Sequence, residues 1–128
     1  MREYFYVIMP IGSDPEYALK GEIIKKVSYN YKMKAYFPFD SKQGKSFNVF
    51  SELSKSSFVF ADLSFERPSC YYELGVAQAL KKSTFIVARL GTSIHQAQGN
   101  VHYYDGLPQY EELVRKAIVE RVSKKKVA

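Results

Sequence analysis

Apolar residues fall in short blocks along the chain, and the blocks alternate between two spacings. Residues 4–9, YFYVIM, are continuous, apolar and β-favouring, and Pro10 and Gly12 close them, so a buried strand and a turn are expected. Ser13 or Asp14 before Pro15 gives a helix start: a capping side chain, then a proline where the missing N–H costs nothing. From Glu16 to about residue 31, Tyr17, Leu19, Ile23, Ile24 and Val27 recur at helical spacing. Gly21 is a weak point in that helix, costing about 1 kcal/mol relative to alanine. A second strand is read over residues 34–39, where Pro38 argues for an edge position or an early end, with Asp40 following. A helix over 46–54 shows Phe47, Val49, Phe50 and Leu53 on one side, and a short apolar strand at 57–61 ends at Asp62. The next helix, 69–82, contains Gly75, Ala77 and Ala79, which are expected to keep it slim enough to lie close to a sheet. Strand 84–90 stops at Gly91, a shorter strand is read at 101–105, and Tyr110, Leu113, Val114, Ala117, Ile118 and Val122 share a face of a last helix over 109–123. Strand and helix alternate about five times. That order predicts a single α/β domain over residues 1–123, a doubly wound sheet of about five mainly parallel strands with helices on both faces, then a basic tail at 124–128.

Composition narrows the function classes more than it changes the fold. A chain of 128 residues suits one domain, and 46% apolar with 25% charged residues is a globular composition, neither disordered nor membrane-like. No run approaches the roughly 20 apolar residues that span a bilayer, and the amino terminus lacks a signal-peptide pattern, so a cytoplasmic protein with no membrane partner is expected. The single cysteine, Cys70, has no internal disulfide partner, and two histidines supply no metal-ligand spacing, so neither metal nor cofactor is expected. The net charge of +6 is spread along the chain without any nucleic-acid motif, and it suits a small phosphate-bearing ligand better than a nucleic acid. Eleven tyrosines among 16% aromatics fit pocket walls and subunit contacts as well as a core.

The candidate chemistry sits in residues 57–82, SFVFADLSFERPSCYYELGVAQALKK. Ligands of open α/β sheets bind beyond the carboxyl ends of the strands, which is where Asp62 and its loop belong. The same rim should gather Pro10, Ile11, Gly12 and Ser13 after the first strand, Arg67, Ser69 and Tyr72 after the third, and residues 91–95 after the fourth. Asp40, Asp62 and Glu73 are therefore expected to converge. Carboxylates beside an anomeric carbon stabilise or attack an oxocarbenium-like state, and Glu73 is the best candidate, its place early in a helix favouring the ionised form. The plain alternatives are a turn former or helix cap for Asp62 and a dipole partner for Glu73. Cys70 reads as packing, His95 and His102 as surface residues, and Gly12 alone makes no phosphate loop.

These residues also carry a resemblance. IMP at the first strand end, Asp40, ADLSFERPSCYYELGVAQALKK and VHYYDGLPQYEEL resemble the nucleoside 2-deoxyribosyltransferase-like and TIR-like proteins of bacteria, whose common form is close to ADLS-x-x-NPN-V-x-YELG-x-A-HALGK. Residues 67–69 read RPS where that form has NPN, and Gln78 stands for its His. The resemblance implies a flavodoxin-like or related fold and chemistry at an N-glycosidic bond, with Glu73 as nucleophile assisted by Asp62 and Asp40. The CYYEL string, similar to the WCxxEL element of TIR domains, together with the basic charge, favours TIR-like NAD⁺ cleavage, NAD⁺ being substrate and not cofactor. Base exchange on a deoxynucleoside is the alternative, and a nucleotide-binding or assembly module without turnover is a third. Sites completed between subunits in these families imply a homo-oligomer.

Overall fold

The computed structural model describes residues 3–38, 48–94 and 100–127. Strands β1 (Tyr4–Ile8), β2 (Lys34–Tyr36), β3 (Val59–Asp62), β4 (Thr84–Arg89) and β5 (Val101–Tyr104) form one sheet in the order β2-β1-β3-β4-β5. All four pairings are parallel, with Tyr6 beside Val59 and Ala61 beside Ile86. Helices α1 (Tyr17–Asn30) and α4 (Leu107–Val127) cover one face, and α2 (Val49–Lys55) and α3 (Pro68–Ala79) cover the other. The chain is thus a doubly wound α/β domain. Its strand order reverses between β1 and β3, and a crevice opens at such a point beyond the strand ends.

Alternation along the strands divides the core in two. Phe5, Val7, Phe60 and Val87 point towards α1 and α4, while Tyr6, Ile8, Val59, Ala61 and Ile86 point towards α2 and α3. Strands buried on both faces are continuous apolar runs, which is why these segments read as strands without an alternating pattern.

Boundaries and facings differ from the sequence reading in instructive places. Strand β2 is three residues long, stopping before Phe37 and Pro38, as a proline that cannot donate to the ladder requires. Helix α2 begins at Val49, capped by Asn48, whose side chain accepts the Ser51 N–H. In α1, Leu19 is exposed and Lys20 takes the inward place instead. In α3, Ala77 alone of the three small residues is buried, whereas Gly75 and Ala79 face outward, so close packing on the sheet is not their role. Helix α4 starts at Leu107 and continues across the basic run of residues 124–126 to Val127.

Candidate active site

Glu73 lies in the second turn of α3, six residues beyond the Arg67 cap, which is past the reach of the helix dipole. Its carboxylate reaches back over the sheet to β1, where the Tyr6 hydroxyl donates to Oε2 at 2.7 Å. The inward facing of Tyr6 fixes this pair: the fully buried phenol belongs to the same apolar cluster as Val59, Ala61 and Leu74. Burial pushes the Glu73 carboxyl above the ordinary range, and the Tyr6 hydrogen bond opposes that shift. The expectation of a dipole-favoured, readily ionised carboxylate is therefore corrected, because Glu73 lies beyond the first turn and desolvation outweighs the Tyr6 hydrogen bond. Burial and then Glu73 push the Tyr6 phenol up, so it remains a donor.

The raised carboxyl has a consequence for pH. Work by the ionised Glu73 should begin only above the usual carboxylate range, and Tyr6→Phe, which removes a bond that favours ionisation, should move that acid limb to higher pH. A pH profile of kcat for parent and variant reads the shift directly. An unmoved limb would mean that Tyr6 does not hold the working form of Glu73.

Asp62 occupies different surroundings. It follows Phe60 by two residues and so faces α1 and α4, the opposite side of the sheet from Tyr6 and Glu73. There it belongs to a fully buried charged cluster. The Lys20 ammonium lies 2.5 Å from Asp14 Oδ2, 2.5 Å from the Tyr104 hydroxyl and 3.6 Å from Asp62 Oδ2. Tyr104 donates to Asp62 Oδ2 at 3.0 Å, the Ser64 N–H donates to Asp62 Oδ1 at 2.9 Å, and Ser64 Oγ accepts the Arg89 N–H at 2.7 Å. Burial pushes the Asp62 carboxyl up, while Lys20, Ser64 and Tyr104 hold it down. Convergence of Asp62 with Glu73 is thus not what the structure forms, and Asp40 lies outside the described residues.

The remaining expected rim residues are dispersed by exposure. Pro10 is buried, Ile11 and Ser13 are half-buried, and Gly12 is exposed with φ +35°. Arg67, Ser69 and Tyr72 are exposed at the start of α3. Helix α1 starts at Tyr17, with Glu16 and not Ser13 or Asp14 at its cap position, and Asp14 Oδ1 accepts the Glu16 N–H at 2.8 Å in the turn before it. Burial, with Glu73 adding to it, pushes the Cys70 thiol up to about 12, so it is no thiolate at neutral pH. His102 stacks on Phe85 at 4.3 Å between ring centroids, and His95 lies outside the described residues. Among the described residues no group of three or more His, Cys, Asp or Glu side chains could hold a metal ion. No helix there is long and apolar enough to cross a membrane.

Sequence reasoning missed Tyr6, Lys20, Ser64 and Tyr104. Lys20 left a signal: with Tyr17, Ile24 and Val27 it occupies the inward stripe of α1, where a lysine must find buried counter-charges.

No protein-family model matches the chain, and no curated protein matches it. Nineteen chains of solved structures do, among them the following two. A 2-desoxiribosyltransferase from Leishmania mexicana superposes with a TM-score of 0.53 at 19% identity, over 67% of this chain and 64% of its own. A conserved protein from Enterococcus faecalis V583 gives a TM-score of 0.61 at 14% identity, over 91% of this chain and 99% of its own. The fold is deoxyribosyltransferase-like. This chain spans less than two thirds of the Leishmania protein, at 64%, and identities this low speak for the fold alone. Neither is described as a TIR protein, so the TIR half of the resemblance gains no support from them.

Proposed function

We propose that the protein cleaves the N-glycosidic bond of a nucleoside, foremost a 2′-deoxynucleoside, and transfers the sugar to a second base. The observation that carries this reading is the half-buried Glu73 carboxylate, to which the Tyr6 hydroxyl donates at 2.7 Å. In the first step a Glu73 oxygen bonds to C1′, the C1′–N bond breaks, and the base leaves with the electron pair and takes up a proton. In the second, a ring nitrogen of another base attacks C1′, the C1′–O bond to Glu73 breaks with its electron pair returning to the carboxylate, and the incoming base gives up its N–H proton to water. A carboxylate kept short of water is a better nucleophile than a solvated one, and Tyr6 sets its angle of approach. Asp62, fully buried against Lys20 on the other side of the sheet, takes no direct part in this scheme. Pro10, Ile11, Gly12 and Ser13 would border the substrate on one side and Arg67, Ser69 and Tyr72 on the other, with Asp40 as a further carboxylate.

The likeness to a deoxyribosyltransferase supports base transfer over NAD⁺ cleavage. The net charge of +6 and the CYYEL string are what favours a diphosphate such as NAD⁺. A single experiment addresses both. The protein at high concentration, to allow for subunit-completed sites, is incubated with thymidine plus adenine and, separately, with NAD⁺, and products are followed by chromatography. Deoxyadenosine formation is expected. Nicotinamide release without base exchange would transfer the reading to NAD⁺, and no turnover of either substrate would leave a binding module.

A further inference from the structure

Among the described residues, four other than glycine adopt positive φ: Lys32, Phe65, Glu66 and Lys81. Lys32 and Lys81 follow the ends of α1 and α3, where a left-handed residue closes a last turn; the Lys82 N–H returning to the Ala77 carbonyl at 3.0 Å is such a closure. Phe65 and Glu66 end no α-helix. They are consecutive, at φ 65° and 45°, and backbone of this kind costs about 1 kcal/mol or more per residue unless its surroundings hold it. Here they do: the Glu66 N–H donates to the Leu63 carbonyl at 3.1 Å, and the Tyr71 hydroxyl donates to Glu66 Oε1 at 3.1 Å.

The strained pair lines a cleft of about 390 Å³, whose other lining is Ser64, Arg89 and residues 90–93 beyond the end of β4. Phe65 leaves 44% of its surface exposed there, although an aromatic ring of that size is normally covered. Arg89 lies 3.8 Å from Glu16 in a pair that is half open to water, and such a pair holds a guanidinium only weakly. The cleft therefore offers a flat apolar face, a carboxylate acceptor and a guanidinium donor. A phosphate would meet the Glu66 charge. A nucleobase matches all three, because every base has a π-face and an edge with adjacent donor and acceptor.

We propose that this cleft binds a nucleobase, stacked on Phe65, with a ring-edge N–H donating to Glu66 and a ring-edge acceptor receiving Arg89. Neither Glu73 nor Tyr6 lines it, so it is a second site on the rim and stands whichever bond Glu73 works on. Free base and the base of a bound nucleoside share this chemistry.

The test reads binding and not turnover. Backbone amide signals of the full chain are followed by NMR during titration with adenine, N6,N6-dimethyladenine, 2′-deoxyadenosine and inorganic phosphate. Adenine should move the signals of residues 65, 66 and 91–93. The dimethyl analogue keeps the ring face but lacks the amino protons, and should bind about tenfold more weakly. Phe65→Gly, which suits the positive φ and removes the ring, should cost adenine about tenfold in affinity. Glu66→Leu should bring adenine and its dimethyl analogue to equal affinity. Deoxyadenosine moving the same signals identifies the occupant as a nucleoside's base, and failure to move them identifies it as free base; both support the site. Adenine leaving the cleft signals still, phosphate alone moving them, or Phe65→Gly binding adenine like the parent overturns it.

Discussion

Glu73→Gln should lower kcat for base exchange by at least about a thousandfold, equivalent to roughly 4 kcal/mol of barrier. The size follows from what is removed. An amide of nearly the same shape has no charge to stabilise an oxocarbenium-like carbon and no lone pair basic enough to bond C1′, so the two-step route is closed. Shape and contacts survive: the Tyr6 hydroxyl, which donates to Glu73 Oε2 at 2.7 Å, can donate to the amide oxygen in its place. Thermal stability should therefore change by less than about 1 kcal/mol, the ordinary range for a substitution that leaves packing intact. Loss of activity with an unchanged unfolding transition is the expected pair of results. A variant that exchanges bases as well as the parent would remove Glu73 from the chemistry.

The second large effect concerns stability. Lys20→Met should destabilise the protein by about 3–5 kcal/mol at neutral pH, a drop of roughly 10–20 °C in Tm for a chain of this size. Methionine fills much of the lysine's volume, so the cost is electrostatic: Asp14 at 2.5 Å and Asp62 at 3.6 Å lose their shared cation while fully buried. The sign of the pH dependence follows from Asp62, whose carboxyl burial already pushes up. A carboxyl raised in the folded state adds stability below its unfolded pKa and loses it as pH rises through the folded one. Without Lys20 that pKa rises further, so the deficit of the variant should widen from acid to neutral pH. Denaturant melts of parent and variant at both ends of that range measure it. A difference under about 1 kcal/mol at neutral pH would show that the cluster does not hold its charges as the geometry implies.

Which parts of this were legible in the sequence depends on what each inference needed. The strands and helices were, because apolar blocks bounded by Pro10, Gly12, Gly91 and Pro108 carry their own punctuation, and the alternation of element types leaves little choice of architecture. Glu73 stood out from the string YELG, yet its partner Tyr6 did not. Residues 4–9 are apolar throughout, so nothing in them says which face the third helix will cover. The same degeneracy hid the direction of Asp62: β3 is buried on both sides, and only the register of the folded sheet turns Phe60 and Asp62 towards α1. Lys20 was readable in principle from its place on the inward stripe of its helix. The left-handed turn at Phe65 and Glu66 was not, since no glycine or asparagine marks it and the contacts that hold it come from Leu63 and Tyr71.

The Lys20 cluster also bears on how the domain assembles. Its members come from the first loop, α1, the end of β3, the turn after it and β5, so residues 14 and 104, ninety positions apart, share one ammonium. A lysine cannot leave water until its anions arrive, and these arrive only when both the first loop and β3 are in place. Tyr104 adds the last contact from an edge strand that would otherwise be free to peel away. Detaching β5 would strip a hydroxyl from a buried ammonium, so the edge of the sheet is tied to the fate of its centre. The domain is in this way made to close as one event, with the final strand acting as its latch.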